Sequence, residues 1–330
     1  MTIHMPAEWE PHEWMWIGFP WNAAEWGSPE TLARAQGQIA AFADAVNAHG
    51  KGEPVRLVCN DAESAALARK LVDPAVQIVM ERIGDVWLRD TGPICVVDGA
   101  GQRALVDFGF NGWGGKYLMP GDEDIGARLS ATTALPCQCA PFIFEGGAVD
   151  TDGTGLFVTT EQCLLNPNRN PGLDARQIET LLAGSLGLTD MLWLGDGLVN
   201  DHTDGHVDNL ARFVAPGVLA IPQATTDDDP NAAIYADAAA RARAHGLTVA
   251  PMPSPGRVEV AGEAVPASYM NFTIGNAAVV VPVYGAPNDA TMIDALAPFF
   301  PGRTLVPLPS DAILAGGGSF HCTSQQMPSA

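Results

Sequence analysis

The sequence predicts a mixed α/β fold in which strand-rich units form a ring and helices lie outside it. Amphipathic segments with helical spacing alternate with short pairs of apolar strands. Each pair opens on a polar or glycine-marked residue, turns at Gly, Pro or Asp, and returns through a second apolar strand. The pairs recur at intervals of roughly 50 to 65 residues. A ring of such units fits this recurrence better than a doubly wound parallel sheet.

The helices are predicted from apolar spacing and from their end signals. Residues 31–49 repeat alanine and other apolar residues at helical spacing and stop at Gly50. Asp174 and Gln177 form a capping-box pattern that opens a helix ending near Gly187. The other predicted helices span residues 62–71, 124–132, 231–245 and 289–298.

The strand pairs are predicted at four internal positions. Their two strands cover residues 90–97 and 104–108, 145–149 and 156–159, 206–214 and 218–221, and 269–274 and 277–283. The terminal segments 14–19 and 320–324 are expected to combine as a fifth unit that closes the ring. If each unit opens at the central axis, Asp90, Glu145, His206 and Cys322 converge in one pocket.

Composition bounds the partners of this chain. It has 330 residues, of which 47% are hydrophobic and 17% charged, so it can bury a sizeable core. The formal charge of -21 repels nucleic acid and anionic membrane surfaces, so neither is an expected partner. The same charge favours a small cationic ligand, although an acidic surface kept for solubility explains it equally well.

The amino-terminal residues lack the basic-then-apolar order of a signal peptide, and no apolar run reaches membrane-spanning length. We therefore expect a soluble, cytoplasmic protein. Its cysteines are too sparse for a disulfide scaffold and are expected to be reduced, five of them with structural roles. They are Cys59, Cys95, Cys137, Cys139, Cys163 and Cys322. The Cys137 and Cys139 pair is only a weak metal signal.

The sixth cysteine, Cys322, follows the glycine run 316–318 near the end of the sequence. Glycines are needed where the backbone takes positive φ or lets a ligand approach closely, so Gly316 and Gly317 are candidate substrate-binding positions. A cysteine delivered by such a turn suits thiolate chemistry. A buried structural cysteine after a glycine-rich loop is the alternative.

A histidine cluster in residues 201–209 supplies a partner for the cysteine. With His206 and Asp208 on one strand, two residues apart, both side chains project to the same side. By the same geometry His321, next to Cys322, faces away from the sulfur. Strand geometry also opposes a metal site made of His202, His206 and Asp208, because residues four apart share a face only in a helix.

Together these residues predict nucleophilic chemistry on a guanidinium group, with no metal or organic cofactor. Asp90 and Asp208 would bind the planar cation by charge-assisted hydrogen bonds. Cys322 would attack its carbon, and His206, held in one tautomer by Glu145, would act as acid and then as base. A covalent thiouronium would form and then be hydrolysed to a urea.

The sequence resembles the agmatine deiminase family, also called the porphyromonas-type peptidylarginine deiminase family. The similarity covers nearly the whole chain, and the joint order and spacing of its motifs are specific. These motifs are MPAEWEPHE (5–13), WLRDTGP (87–93), FNGWGGKY (110–117), EGG (145–147), TDGHVD (203–208) and GGGSFHCTSQQ (316–326).

The resemblance implies one catalytic domain over residues 1–330 with the five-bladed, pseudo-symmetric α/β-propeller of the guanidine-modifying (pentein) superfamily. It implies conversion of agmatine and water to N-carbamoylputrescine and ammonia, in polyamine biosynthesis and arginine catabolism. It also implies a homodimer. Cys322 is then the nucleophile, His206 the acid and base, Glu145 its supporting carboxylate, and Asp90 and Asp208 the guanidinium ligands. Trp87 lines the substrate channel or packs in the core.

One residue departs from the family pattern. Many agmatine deiminases have an acidic residue before the threonine of the histidine motif, where it helps hold the distal amine, and this chain has His202. Either another carboxylate such as Asp201 or Asp204 binds the amine, or the preferred guanidine differs: peptidylarginine, arginine or a guanidino acid. An amidinotransferase, a metal-dependent hydrolase and a non-enzymatic polyamine-binding module are further alternatives.

Overall fold

The structure of the chain is a computed structural model that describes residues 3–260 and 262–329. The α-helices of these residues are α1 Pro29–Asn47, α2 Ala62–Leu71, α3 Leu88–Thr91, α4 Gly112–Gly115, α5 Ile125–Ala131, α6 Glu161–Leu164, α7 Ala175–Leu186, α8 Ala232–Ala244, α9 Asp289–Leu296 and α10 Asp311–Leu314. Short 3₁₀-helices span Ala48–Gly50, Gly146–Ala148, Val207–Asn209, Tyr269–Asn271 and Ala297–Phe299. Within the described part of the chain, no helix has the length and apolar character needed to cross a bilayer.

The strands of the same residues are β1 Ile3–His4, β2 His12–Gly18, β3 Val55–Cys59, β4 Gln77–Met80, β5 Ile94–Asp98, β6 Arg103–Gly109, β7 Cys137–Ile143, β8 Val149–Thr151, β9 Leu156–Thr160, β10 Asp190–Leu194, β11 Arg212–Ala215, β12 Val218–Gln223, β13 Thr248–Pro253, β14 Glu259–Val260, β15 Glu263–Ala264, β16 Thr273–Ile274, β17 Ala278–Val283, β18 Thr304–Pro309 and β19 Ser324–Pro328. Their sheets have the orders β1-β5-β6-β7, β10-β9-β8, β11-β12-β13, β14-β15, β16-β17-β18 and β19-β2-β3-β4.

The same three-stranded pattern recurs in five of these sheets. A first strand pairs antiparallel with a second, which pairs parallel with a third. At least one helix lies in sequence between the second and third strands, as a parallel connection requires. The mixed α/β, propeller-like class predicted from sequence is therefore confirmed. Sequence patterns did not indicate the third strands, and the arrangement of five blades about an axis stays a prediction.

The helix bounds agree with the sequence predictions to within about two residues, as is usual for helix ends. The helix α7 has the predicted capping box between Asp174 and Gln177 and ends at Gly187, whose φ is 79°. The helix α1 begins earlier than predicted because Ser28 accepts a hydrogen bond from the Thr31 amide.

For the residues immediately before the first strand of each unit, the prediction of an extended strand is wrong. Instead, a helical or tight turn precedes the strand in every unit: α3, the 3₁₀-helices Gly146–Ala148, Val207–Asn209 and Tyr269–Asn271, and the turn over residues 320–323. Local hydrogen bonding explains the difference, since the Ala148 amide donates to the Glu145 carbonyl and the Leu210 amide to the Val207 carbonyl. These turns present the polar residues of the predicted pocket.

The two ends of the sequence pair with each other, which confirms that the terminal segments combine as one unit, while closure of the ring stays a prediction. Ser324 lies opposite Ile17 and Gln326 opposite Met15 in the antiparallel β19-β2 pair. The segment 320–324 is mostly turn rather than strand, and β19 begins only at Ser324.

A buried ion network connects the units at their openings. The Arg212 guanidinium, at the start of β11, pairs with Glu8 and with Asp150 of β8. It also donates to the carbonyls of Met270, at 3.3 Å, and Phe272, at 2.8 Å, ahead of β16. Buried charges are tolerated only when paired in this way, so the network fixes how the units meet.

The cysteines divide differently from the sequence prediction. Cys59, Cys95, Cys163 and Cys322 are buried, but Cys137 and Cys139 are exposed on β7. The structural role predicted for five cysteines is therefore wrong for these two, because both lie in the exposed part of the strand. All six are free thiols.

Replacing Arg212 with methionine should destabilise the protein by about 3–5 kcal/mol, because it leaves buried Glu8 and Asp150 uncompensated. Urea unfolding measures this change. Arg257→Met is the matched control: Arg257 forms an exposed pair with Glu259, so its loss should leave the free energy of unfolding nearly unchanged. Equal effects of the two substitutions would contradict the role of the network.

Candidate active site

Three polar groups from two units converge around Gly147, which belongs to a third. A methyl group placed on this residue would lie 2.6 Å from His206 Nδ1, 2.8 Å from Asp90 Oδ1 and 3.2 Å from Asp208 Oδ2. These residues come from the turns before β5, β8 and β11. The predicted convergence of Asp90, Glu145, His206 and Cys322 is therefore seen in the structure, and Asp208 joins them.

Cys322 lies beside this group, almost fully buried. Its sulfur accepts a hydrogen bond from Asn271 Nδ2 at 3.0 Å and lies 3.5 Å from Asp208 Oδ2. Burial, followed by the negative charges of Asp208 and Asp90, raises the pKa of the Cys322 thiol well above its usual value. The Cys322 thiol is therefore neutral at neutral pH.

His206 lies between two carboxylates. Its Nδ1 is 3.6 Å from Asp90 Oδ1 and its Nε2 is 3.7 Å from Glu145 Oε2, and neither ring nitrogen has a hydrogen-bond partner among the residues that the structure describes. Burial by itself lowers the pKa of His206, but Asp90, Cys163 and Glu145 outweigh it and raise the pKa well above normal. The ring is therefore an imidazolium at neutral pH, able to donate a proton.

Strand geometry predicted that His321 faces away from the site, and this prediction is wrong. His321 lies in a turn, where its Nδ1 is 2.7 Å from Asp208 Oδ2 and its Nε2 is 3.1 Å from Glu8 Oε2. Burial raises the pKa of Asp208, but the hydrogen bond and charge of His321 reverse this and hold it below its usual value. His321 thus keeps Asp208 ionised next to the sulfur.

Asp90 accepts two hydrogen bonds that orient its carboxylate. Trp113 Nε1 donates to Oδ2 at 2.9 Å and the Gly147 amide donates to Oδ1 at 3.0 Å. Burial, together with the charges of Asp208 and Glu145, raises the pKa of Asp90 to about 6, although His206 opposes the shift. A bound cation would favour its charged form.

Glu145 is held by an arginine that sequence reasoning did not identify. Arg169 Nε donates to Glu145 Oε1 at 2.8 Å, and its Nη2 donates to the Thr203 carbonyl at 2.7 Å. Burial raises the pKa of Glu145, but the nearby His206 ring and the Arg169 charge outweigh it and lower the pKa. Among the described residues, Glu145 Oε2 has no hydrogen-bond partner, and it faces His206 at 3.7 Å.

A cavity of about 150 Å³ opens onto Cys322 and Asp90. The candidate substrate-binding residues Trp87, His202, Gly316 and Gly317 all line it. Trp87 is also buried, so the channel-wall and core interpretations both hold for this residue.

The glycine run allows close packing at the cavity. A Cβ on Gly316 would lie 3.1 Å from the rings of Trp26 and Trp87, and one on Gly318 would lie 2.6 Å from Trp87. Gly317 has a φ of 112°, a conformation that favours glycine. These positions therefore exclude larger residues for the physical reasons predicted from sequence.

The alternative metal triad of His202, His206 and Asp208 does not form a cluster. In the described part of the chain, the group of potential ligand atoms lying within 4.8 Å of one another comes from Glu145, Cys163 and His206. Cys163, predicted to be structural, thus contacts the imidazole of His206.

Sequence reasoning missed Asn271, Trp113, Arg169 and Cys163 as neighbours of the site. Asn271 had a detectable signal, because it is the polar residue before β16, equivalent in place to Asp90 and His206. Trp113 belongs to the motif at 110–117, but no pattern linked it to Asp90. Arg169 and Cys163 carry no local signal, since only the packing of α6 and the following turn brings them to Glu145 and His206.

Comparison with known proteins places this chain and its fold in one family. A sequence profile described as Porphyromonas-type peptidyl-arginine deiminase matches residues 4–328. An agmatine deiminase of Stutzerimonas stutzeri is 38% identical, over 98% of this chain and 95% of that protein.

Solved structures agree. An agmatine deiminase of Enterococcus faecalis has a TM-score of 0.90 at 30% identity and covers 99% of this chain and 96% of its own. An agmatine deiminase of C. jejuni with substrate bound has a TM-score of 0.90 at 27% identity, covering 98% and 96%. The similar proteins are thus enzymes of guanidine hydrolysis. The chain belongs to the Porphyromonas-type peptidyl-arginine deiminase family.

Gly147→Ala should reduce turnover at least about 100-fold, because the added methyl group would push His206 and Asp90 out of position. Steady-state ammonia release measures the loss, and a melting curve shows whether the variant is folded. Gly184→Ala is the control, since a Cβ there meets no atom within 4 Å. A folded Gly147→Ala variant with full activity would contradict the proposed convergence.

Alkylation of Cys322 in the empty enzyme should be slow at pH 7 and should accelerate with rising pH. Its raised pKa keeps the thiolate fraction small until the pH approaches that pKa. Chloroacetamidine, a cation, should react faster than neutral chloroacetamide because it offsets the charges of Asp90 and Asp208. Rates followed by intact mass at several pH values test this. A pH-independent rate at and above pH 6, or a preference for the neutral reagent, would be the contrary result.

Proposed function

We propose that this chain, as one catalytic domain over residues 1–330, hydrolyses agmatine to N-carbamoylputrescine and ammonia. The convergence of His206, Asp90 and Asp208 around Gly147, beside the Cys322 sulfur, carries the proposal. The names of the similar enzymes and the full-length similarity support agmatine as the substrate.

The guanidinium binds first, between Asp90 and Asp208. Asp208 Oδ1 is buried and has no partner in the described residues, so it is free to accept a hydrogen bond from the substrate. The bound cation offsets the charges that raise the pKa of Cys322 and thereby favours loss of the thiol proton to solvent.

The thiolate then adds to the guanidinium carbon, forming the C–S bond. Protonated His206 gives its proton to one terminal nitrogen, and the C–N bond breaks to release ammonia. A cationic thiouronium remains on Cys322, and His206 is left neutral. Asp90 and Asp208 stabilise the positive charge throughout this step.

Water completes the reaction. Neutral His206, supported by Glu145, takes a proton from the attacking water, and the C–S bond breaks to regenerate the thiolate. The carbon becomes the urea carbonyl of N-carbamoylputrescine. Ammonia takes up the proton that the product loses when its urea carbonyl forms, so the net products are the urea and ammonium.

Cys322→Ala should abolish steady-state release of ammonia from agmatine, because no group replaces the sulfur. The measurement is ammonia release with product mass for agmatine, arginine, a peptidylarginine and 4-guanidinobutyrate. Full ammonia release by the Cys322→Ala variant would rule out the mechanism.

Two other results would change the assignment. A higher kcat/KM for another guanidine would reassign the substrate. Transfer of the amidino group to an added amine, in place of urea formation, would reassign the reaction to an amidinotransferase.

We further propose a homodimer, as the family resemblance implies, and a cytoplasmic location, with neither nucleic acid nor membrane as a partner. The formal charge of -21 supports the last part, because it opposes binding to anionic polymers and surfaces. Light scattering of the purified protein measures the oligomeric state.

A further inference from the structure

The carboxylates suggested by sequence for the distal amine are already occupied. Asp204 pairs with Lys116 at 2.8 Å and with Arg169, and it accepts a hydrogen bond from Asn168 Nδ2 at 2.9 Å. Asp201 accepts hydrogen bonds from Thr203 and Asn209 and does not line the cavity. Neither is placed to bind the amine of a substrate.

His202 also lies on an unsuitable side of the cavity for a cation. Its ring stacks on Tyr117 with centroids 5.9 Å apart, and its Nδ1 is 3.3 Å from the Tyr117 hydroxyl. The ammonium group of Lys116 donates to the His202 carbonyl at 2.5 Å. An ammonium group is therefore already present on this side, and the neighbouring imidazole of His202 offers no negative charge to bind a second one.

Two other carboxylates that line the cavity are Glu25 and Asp85. The third carboxylate in the lining, Asp90, belongs to the guanidinium end beside Cys322. In the described residues, neither Glu25 nor Asp85 belongs to an ion pair with Lys, Arg or His. Glu25 receives only a 3.4 Å contact from Asn22.

The wall between Cys322 and these carboxylates is aromatic. Trp26, next to Glu25 in sequence, stacks on Trp87 with ring centroids 6.2 Å apart and an interplanar angle of 23°. Trp87 Nε1 donates to Asp85 Oδ2 at 2.7 Å, which fixes that carboxylate at the edge of the wall. An apolar wall that ends in anions suits a methylene chain carrying a terminal cation.

Like charges near each other also favour a cationic ligand here. Burial first, and then the charges of Asp122 and Glu25, raises the pKa of Asp85 to about 7, although hydrogen bonds from Val86 and Trp87 oppose the shift. An ammonium ion between Glu25 and Asp85 would relieve this repulsion.

We propose that Glu25, together with Asp85, binds the terminal ammonium of the substrate. Glu25 thereby takes the role of the acidic residue that many agmatine deiminases have where this chain has His202. The inference rests on the proposed function and narrows it to guanidines with a cationic tail. Glu25 is a specificity-determining residue, and it takes no part in the chemistry at Cys322.

Glu25→Gln tests the proposal with two substrates that differ only in the tail. For agmatine, KM should rise roughly fivefold to tenfold with kcat within about twofold, because one partly exposed ion pair is lost. For butylguanidine, which lacks the amine, both constants should stay unchanged. Glu25 is exposed, so the substitution should not disturb folding.

Glu25→Lys gives the converse test. It should lower kcat/KM for agmatine further and raise it for 4-guanidinobutyrate, whose carboxylate would pair with the new ammonium. Glu30→Gln is the matched control, because Glu30 is an exposed glutamate in the first turn of α1 outside the cavity lining and should change neither substrate.

Two results would overturn the inference. If Glu25→Gln lowered kcat/KM equally for agmatine and butylguanidine, the role of Glu25 would be structural. If it lowered kcat/KM for neither substrate, the amine would bind elsewhere. Failure of the proposed function looks different. In that case the unmodified protein would not hydrolyse agmatine, whatever residue stands at position 25.

Discussion

The structure depends on compensating charges buried at the centre of the molecule. Arg212 pairs with Glu8 and Asp150, Glu8 contacts His321, and His321 contacts Asp208 beside the nucleophile. Each of these pairs joins two different units, or a unit and the amino-terminal segment, so none of these pairs forms within one unit. Because an unpaired buried charge is costly, the units must meet in one arrangement. The scaffold and the active site are parts of the same network.

This network explains how a site rich in carboxylates also holds a cysteine. His321 keeps Asp208 ionised, and Arg169 keeps Glu145 ionised. The pKa of Asp90 is raised to about 6, which is close to neutral pH. Their charges keep the empty thiol protonated and His206 charged. A guanidinium ion would offset these negative charges, so in the proposed reaction the binding of substrate also activates the nucleophile.

Much of the fold was predictable because local signals determine it. The capping box at Asp174, the helix α2 and the pairing of the terminal strands follow from periodicity and end signals. The turns before the first strands were not predictable by alternation, because short 3₁₀ segments have no such pattern. That error misplaced His321, although it left His206 and Asp208 in the right pocket. The third strand of each unit was missed, since its parallel partner lies across a helix.

The sequence by itself determined the family and the proposed chemistry: the residue types and spacing around Cys322, His206, Glu145, Asp90 and Asp208 predict nucleophilic attack on a guanidinium. The tertiary structure decided which groups surround those residues. Arg169, Asn271, Trp113 and Glu25 are distant in sequence from the groups they serve, and only packing brings them near. Hydrogen bonds and ion pairs depend on distance in space, which local sequence patterns do not record. For this reason the sequence could not show that Asp201 and Asp204 already accept hydrogen bonds or form ion pairs within the protein.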